Sequence, residues 1–335
     1  MANRPWLSVV VPWWNRLAYA RETLDSLARQ TDRDFECIVV DQGRDPSLGE
    51  LDAYSGRFEL RVVYAPEHAD WPSKTNVGFR EARGRYVCML HTDDVWRADR
   101  VARLRRAHER HPQAGLLFHA VRFIDPASRE LGLWRAPLTP NQLLAGAEVL
   151  EHLIVQNFIA CPAPVLNRRL VGSGIDPTLW YTGDWDLYLR ATLAGSAVYI
   201  DDPLADFRLH RTSLTMQRSR SAQDFSHQLD CVLERYAPAL PEARREDLLR
   251  VARFSNAVNV ALAQGFHGDW RALLRLIPRA SGLGLADWRR YLNDSRIVER
   301  TIARLKLACQ PLLAEPSEPS ATLGQTSGDS QAYSA

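Results

Sequence analysis

The sequence predicts an α/β fold in which a mostly parallel sheet is flanked by helices. Short apolar runs rich in valine and isoleucine alternate through the first 125 residues with segments whose apolar residues recur at helical spacing. This alternation is typical of a parallel sheet covered on both faces. Polar residues follow several of the apolar runs, at the strand ends where such sheets bind ligands.

The predicted elements follow from these patterns in chain order. Predicted strands span Leu7–Pro12, Phe35–Asp41, Leu60–Pro66, Arg85–His91 and Ala114–Asp125, and predicted helices between them span 16–30, 73–83 and 97–111. After Pro126 we expect a helix over 141–157, an extended segment over 161–169, a helix over 184–195 and a strand over 197–210. From about residue 221 the pattern is helical and amphipathic.

Composition and charge argue against several classes of function. The chain has 42 basic and 40 acidic residues, a balance that gives no electrostatic reason to expect a nucleic-acid partner. Five scattered cysteines without C-x-x-C spacing indicate reduced thiols and argue against a disulfide framework or a zinc site. No signal peptide and no apolar run of about 20 residues is visible. We therefore expect a cytosolic protein, with contact to a membrane surface left open.

Two adjacent carboxylates, Asp93 and Asp94, follow the fourth predicted strand. Like charges side by side repel, so the pair needs a cation, a capping role or open water. The first strand has no glycine-rich loop after it, so a phosphate ligand would need another source of positive charge. Carboxylate oxygens suit Mg²⁺ or Mn²⁺, and such an ion could clamp a diphosphate. A turn or helix N-cap before VWRADR is the alternative that the spacing leaves open.

Four segments in a fixed order resemble the family 2 glycosyltransferases. They read SVVVPWWNR, FECIVVDQG, KTNVGFREARGRYVCMLHTDDVWRADRV and TGDWDLYLRA, within about residues 6–215. The resemblance implies the GT-A fold, which is Rossmann-like, and a nucleotide-sugar donor. In that family the first segment reads P-x-Y-N, the strand-4 segment is the D-x-D-type metal motif, and a later E-D or G-D supplies the catalytic base.

The resemblance assigns the nucleotide to the ends of the first two strands. Pro12, Trp14 and Asn15 match the first motif, with tryptophan where the family usually has tyrosine, and an indole could stack on the base. Asp41 matches the first acid of the second segment, whereas Gln42 replaces the second acid. Because an amide both accepts and donates, Gln42 favours uracil or thymine, and thus a UDP- or dTDP-sugar. The alternative for Gln42 is a solvated turn residue.

The resemblance also assigns roles to residues before and within the metal motif. Lys74 and Asn76 stand where the family has a basic residue and an asparagine. Lys74 could meet phosphate, or could be a surface lysine whose stem alone is buried. His91 replaces the first acid of the commoner D-A-D-D, which could alter metal preference. The last two acids, Asp93 and Asp94, are those expected to meet metal and ribose.

The later segments imply a base and a basic loop. Asp184 falls on the catalytic-base position, where it would deprotonate an acceptor hydroxyl; the alternative is an acid favoured by the helix dipole. In DFRLHRTSLT, His210 could complete the metal shell, and Arg208 or Arg211 could face phosphate. A solvated basic loop is the alternative for both arginines. Trp71, Trp134 and Trp180 are candidate contacts to the acceptor.

The resemblance implies an inverting transferase that uses Mg²⁺ or Mn²⁺ and moves a sugar to a glycan or lipid-linked glycan in bacterial surface-polysaccharide or glycolipid assembly. We expect a GT-A catalytic domain over 1–220, with a nucleotide-binding half of about 1–125 and an acceptor half of about 126–220. A helical region over 221–315 and a Ser/Pro/Gly-rich, disordered tail over 316–335 would follow. The helical region could cap the catalytic domain, form homo-oligomers or touch the inner face of the cell membrane. A sugar nucleotidyltransferase and a non-catalytic nucleotide-sugar-binding protein are the rival functions.

Overall fold

The computed structural model describes residues 4–14, 17–43, 46–214 and 221–309, so Asn15 and the predicted tail lie outside the described residues. In the described chain the strands are β1 Leu7–Pro12, β2 Phe35–Asp41, β3 Glu59–Tyr64, β4 Tyr86–Met89, β5 Val95–Trp96, β6 Ala114–Ile124, β7 Glu130–Trp134, β8 Leu143–Leu144, β9 Val165–Asn167 and β10 Ser196–Arg208. The helices are α1 Leu17–Ala28, α2 Trp71–Glu81, α3 Arg100–Arg110, α4 Gly146–Leu153, α5 Gly183–Ala194, α6 Ala222–Tyr236, α7 Arg245–Phe266, α8 Arg271–Leu274, α9 Ile277–Ser281, α10 Leu285–Ser295 and α11 Ile297–Ala308.

The strands join into one sheet that is flanked by helices. Its order is β3-β2-β1-β4-β9-β6-β10-β5, with β7 paired to β6 and β8 paired to β10. Parallel ladders join β3, β2, β1 and β4, and a long parallel ladder joins β6 to β10. The ladders of β5, β7, β8 and β9 are antiparallel and short. The predicted α/β class is therefore confirmed, with an antiparallel component that the patterns did not indicate.

The first two strands lie in the middle of the hydrophobic core. Every residue of β1 and β2 is buried, because helices cover both faces of this part of the sheet. Close packing of α2 on β1 depends on Gly78, where a Cβ would come within 2.2 Å of Val10 Cγ1. Asp70 begins α2 as its N-cap, since its side chain accepts a hydrogen bond of 2.8 Å from Ser73 N.

The predicted helix over 141–157 is shorter in the structure. Leu143 and Leu144 pair with β10 as β8, and α4 begins only at Gly146. A Cβ at Gly146 would come within 1.9 Å of Thr192 O, so glycine allows α4 to approach the end of α5. This approach joins the region after β7 to the helix that carries Asp184.

The helices after residue 221 pack on the second half of the sheet. Arg235 of α6 donates to Asp186 Oδ1 at 2.7 Å, and Tyr236 donates to the same carboxylate at 3.0 Å, so α6 is tied to α5. At the other end, Lys306 of α11 donates to Leu131 O of β7 at 2.8 Å. Among the described helices, none combines the length and the apolar character that crossing a bilayer requires.

Candidate active site

The carboxyl ends of three parallel strands meet at one edge of the sheet. Pro12 at the end of β1 pairs with Val40 of β2, and Val10 pairs with Met89 of β4. This register brings Asp41, which ends β2, and the residues after β4 to the same edge as the end of β1. The predicted convergence of these strand ends is therefore present in the structure.

A cluster of possible metal ligands follows β4. The ligand atoms of His91, Asp93 and Asp94 all lie within 4.8 Å of one another. Asp94 is 1% exposed, and its Oδ1 accepts a hydrogen bond of 3.0 Å from Arg208 N. Burial, together with repulsion from the Asp93 carboxylate, raises the pKa of Asp94 well above its usual value.

The second oxygen of Asp94 shows that the cluster fits a metal ion. Asp94 Oδ2 is buried and has no hydrogen-bond partner within the described parts of the chain. A buried carboxylate oxygen without a partner is costly, and a divalent cation would satisfy it. Two carboxylates and one imidazole also form a donor set that suits Mn²⁺ and is compatible with Mg²⁺.

His210 holds Asp93 in position. Its side chain is fully buried, and its Nε2 lies 3.0 Å from Asp93 Oδ2. Its Nδ1 lies 3.1 Å from Thr212 Oγ1, so both ring nitrogens face protein groups. The sequence predicted His210 as a direct metal ligand; that role stays a prediction, and the contact seen here orients a carboxylate of the cluster.

Arg208 donates hydrogen bonds to the same loop from inside the protein, although the sequence predicted a contact with phosphate. Its side chain is 0% exposed; Nε donates to Asp93 O at 2.9 Å and Nη1 donates to Asp125 O at 3.0 Å. Nη2 donates to Glu22 Oε2 at 2.7 Å. A contact with phosphate would require these bonds to open. Arg211, the other predicted phosphate contact, is exposed.

Asp184 lies in the first turn of α5. Its Oδ1 accepts a hydrogen bond of 2.7 Å from Trp185 N, and its Oδ2 accepts a longer one of 3.4 Å from Asn157 Nδ2. Burial raises the pKa of Asp184 to about 7. A carboxylate with this pKa can take up a proton near neutral pH, which is what a general base must do.

Cys161 connects Asp184 with the acidic cluster. Burial raises the pKa of its thiol well above the usual value, and the negative charges of Asp184, Asp94 and Asp93 raise it further. All three carboxylates therefore lie within electrostatic reach of one sulfur atom. The Cys161 Sγ also lies 3.8 Å from the ring nitrogens of His91. The loop that carries Cys161 thus contacts both Asp184, through Asn157, and the acidic cluster.

The end of β1 offers an accessible aromatic ring. Trp14 is 51% exposed, and Lys74 Nζ lies 5.5 Å from the centroid of its ring. Lys74 is itself buried and donates to Trp13 O at 2.8 Å. Next to it, Asp41 Oδ2 accepts a hydrogen bond from Gly43 N, whose positive φ of 78° forms a tight turn. Gln42 lies in this turn and is partly exposed.

The side chain of Asn76 is hydrogen-bonded to the loop before α5. Its Nδ2 donates to Ile175 O at 2.7 Å, and its Oδ1 accepts from Ile175 N at 2.7 Å. A Cβ at Gly174 would come within 2.2 Å of Asn76 Oδ1, so the loop passes close to this side chain. Both ends of the Asn76 amide are thus used inside the protein, whereas the sequence predicted a contact with the nucleotide.

The tryptophans predicted as acceptor contacts lie in different surroundings. Trp71 packs edge-on against His91 with ring centroids 5.4 Å apart, and its Nε1 donates to Trp180 O at 2.9 Å. Trp134 instead stacks on Phe123, at 5.4 Å between centroids, next to α11. Of the three, Trp71 is the one in contact with the acidic cluster.

Sequence reasoning missed Asn157 and Cys161. Both come from the loop between α4 and β9, a segment without a motif, and only the fold brings them next to residues more than 20 positions away. The cysteine count gave no signal, because an isolated buried thiol is usually a small core residue.

Comparison with known proteins agrees with the fold. Residues 8–152 match the model of the family described as Glycosyl transferase family 2. A relative from Bacillus subtilis (strain 168), named as a candidate teichuronic acid biosynthesis glycosyltransferase, TuaG, is 24% identical over 223 residues. The match covers 66% of this chain and 85% of the relative.

Two solved structures share the fold. TarS 1–349 of S. aureus in complex with UDP-GlcNAc has a TM-score of 0.62 at 18% identity, over 86% of this chain and 79% of the other. In a longer TarS structure this chain spans 43% of the length. The mannosyltransferase PcManGT from Pyrobaculum calidifontis, in complex with GDP-Man and Mn²⁺, has a TM-score of 0.53 at 16% identity, over 92% of this chain and 88% of the other. Residues 8–152 are therefore similar to the family 2 glycosyltransferases, and the chain shares the GT-A fold of these solved structures.

Proposed function

We propose that the chain is a glycosyltransferase that depends on Mg²⁺ or Mn²⁺, inverts the anomeric centre and uses a UDP- or dTDP-sugar. One observation carries the proposal: the loop between α4 and β9 contacts Asp184 through Asn157 and the acidic cluster through Cys161, which lies 3.8 Å from His91. A base and a cation site around one space are what transfer from a sugar diphosphate requires. The base must take a proton from the acceptor while the diphosphate leaves as an anion.

In this proposal His91, Asp93 and Asp94 hold the metal ion. When bound, the ion would neutralise the diphosphate and stabilise the negative charge that develops as it leaves. The buried Oδ2 of Asp94 supports this assignment, because it has no hydrogen-bond partner in the described protein and a cation would satisfy it. His210 keeps Asp93 turned toward the cluster through the 3.0 Å contact.

Asp184 acts as the general base. It would accept the proton of the acceptor hydroxyl as the oxygen attacks the anomeric carbon opposite the leaving diphosphate, and attack from that side inverts the centre. The Trp185 N–H holds one oxygen of the carboxylate, so the other, which has only the 3.4 Å contact from Asn157, is the one suited to receive the proton.

The nucleotide would bind along the ends of β1 and β2. Trp14 presents its exposed ring for stacking on the base, and the partly exposed Gln42 offers both a donor and an acceptor to a uracil or thymine edge. The ammonium group of Lys74 lies over the Trp14 ring and stabilises its position. The UDP-GlcNAc complex of TarS, which shares the fold, supports a uridine donor.

The acceptor is proposed to be a glycan or a lipid-linked glycan in surface-polysaccharide, lipopolysaccharide or glycolipid biosynthesis. The name of the B. subtilis relative supports a role in a cell-surface polymer. The proposed setting is the cytoplasm, with peripheral contact at the inner face of the cell membrane. Homo-oligomers of the helical region stay a prediction.

A donor panel tests the function. We expect UDP- or dTDP-sugars with Mn²⁺ to raise the melting temperature more than GDP-sugars do, because binding to the native state stabilises it. The best donor should then release its nucleotide slowly, and only with the metal present. Tight binding without any release or transfer would instead favour the non-catalytic binding protein. Formation of a nucleotide-sugar from a sugar phosphate and a nucleoside triphosphate would favour the nucleotidyltransferase.

A further inference from the structure

Large exposed apolar side chains concentrate in the C-terminal helices. Trp270 is 61% exposed, Leu274 is 64%, Ile277 is 62% and Leu285 is 91%. Among the described residues, most exposed large apolar side chains belong to the segment from 266 to 305. We call Trp270, Leu274, Ile277 and Leu285 the docking face. Exposed apolar side chains that concentrate in one region mark an interaction site more often than single exposed residues do.

Helix geometry puts three members of the docking face on one side. Helices α8 and α9 follow each other with only a two-residue turn between them, and Trp270, Leu274 and Ile277 are spaced by four and then three residues. Side chains at this spacing lie above one another on a single helical face. Leu285 follows at the first position of α10.

The charge around the docking face is positive. Residues 266–309 contain nine arginines or lysines and four aspartates or glutamates, although the whole chain has a net charge of only +2. Arg271, Arg275 and Arg279 are exposed and interleaved with the apolar residues. A groove of about 670 Å³ next to the face is lined by Leu285, Arg289 and Arg290, among others.

We propose that the docking face binds the surface of an anionic lipid bilayer. Tryptophan and leucine would enter the interface while the neighbouring arginines meet lipid phosphates, as in helices that lie in the plane of a membrane. A second copy of the chain fits less well. A two-fold contact through this face would bring the interleaved arginines of both copies together, and like charges in an interface are unfavourable.

The docking face is linked to the helix that carries the base. Helix α8 follows α7, which packs on α6, and α6 is tied to α5 through Arg235 and Asp186. Binding to a bilayer would therefore hold the acceptor half of the protein at the membrane surface. This consequence rests on the proposed function, in which the acceptor is a lipid-linked glycan.

Vesicle binding by the full-length chain tests the proposal. We expect the protein to sediment with vesicles of phosphatidylcholine mixed with phosphatidylglycerol, and far less with phosphatidylcholine alone. Added salt should weaken the binding, because it screens the arginines. Leu274→Ser combined with Ile277→Ser should reduce binding by about tenfold or more, since two apolar side chains no longer enter the interface.

A matched control carries Leu143→Ser and Leu193→Ser, which are exposed leucines outside the face. The control should bind like the unchanged protein. The proposal is overturned if the unchanged protein does not bind anionic vesicles, or if the control loses as much binding. It is also overturned if light scattering finds a dimer that Leu274→Ser with Ile277→Ser dissociates. Nucleotide release without vesicles is measured on the same samples, so failure of the proposed function appears separately.

Discussion

The candidate active site has two groups of carboxylates, Asp93 with Asp94 after β4 and Asp184 in α5, and the protein holds them in different ways. After β4, Asp93 and Asp94 are fixed by His210 and by the backbone and side chain of Arg208, which come from the far end of β10. At the start of α5, Asp184 has a hydrogen bond from the next residue and a weak one from Asn157. Residues distant in sequence thus fix Asp93 and Asp94, whereas the one short hydrogen bond to Asp184 comes from the adjacent residue.

The difference fits two different tasks. Carboxylates that bind a cation must keep a fixed geometry, and a frame of hydrogen bonds provides it. A general base must change its protonation state in each cycle, and a buried group with few partners has a pKa near the working pH. A pKa of about 7 for Asp184 agrees with the second task.

The largest effect is expected from Asp184→Asn, which removes the proposed base and leaves the residues of the β4 cluster unchanged. Transfer should fall by about 10²–10⁴-fold, while the donor dissociation constant should change little. Initial rates and donor titrations measure the two quantities separately. Asp202→Asn, at an exposed ion pair with Arg103, is the control and should leave both unchanged. Comparable transfer by Asp184→Asn would show that another group is the base.

Asp93→Asn should affect the other region by removing one of the ligand charges. We expect Mn²⁺ affinity to fall by about 100-fold, with donor affinity falling along with it. His210→Ala should lower Mn²⁺ affinity by about 10-fold, because it only releases the orientation of Asp93. Titration of free Mn²⁺ by electron paramagnetic resonance measures both. Unchanged Mn²⁺ affinity in Asp93→Asn would show that the cluster does not bind the metal through Asp93.

The raised pKa of Asp184 predicts a dependence of stability on pH. A carboxyl with a raised pKa stabilises the folded state below its ordinary value of 3.8, and this contribution is lost as pH rises through about 7. Asp184→Asn avoids the loss. Its advantage in unfolding free energy should grow from about pH 4 and level off above about pH 7, at about 4 kcal/mol, because one pKa unit corresponds to about 1.4 kcal/mol. A constant difference from pH 4 to pH 8 would contradict the raised pKa.

The smallest effect is expected from Asn76→Ala, which cuts the link between α2 and the loop before α5. Loss of two buried hydrogen bonds should cost about 1–2 kcal/mol of unfolding free energy. If the loop supports the acceptor side, the KM for the acceptor should rise while donor affinity stays the same. Asn293→Ala, at an exposed position, is the control. A loss of donor affinity would instead support the predicted contact between Asn76 and the nucleotide.

The sequence could predict the parts of the fold that have a strong local pattern. The predicted bounds of β1 and β2 agree with the structure, because buried strands of six and seven residues end at Pro12 and Asp41. Strands β5 and β8 have two residues each, too few for any periodicity. Their positions depend on β10, a pairing that only tertiary structure decides.

The site was predictable to a similar degree. Motif order identified Asp93, Asp94 and Asp184 as candidates and predicted that the strand ends would meet. It could not separate a buried arginine from an exposed one, since Arg208 and Arg211 look alike in sequence and differ in burial. Nor could it indicate Cys161, which matters because of what surrounds it.

Diffraction from crystals grown with Mn²⁺ and UDP tests the central claim most directly. Anomalous scattering locates the manganese without reference to the protein. We predict a manganese peak bonded to the Asp94 Oδ2 that now has no partner, with Asp184 facing the same space from the other side. A peak bonded to other residues, or a UDP diphosphate held without any metal near Asp93 and Asp94, would contradict the account.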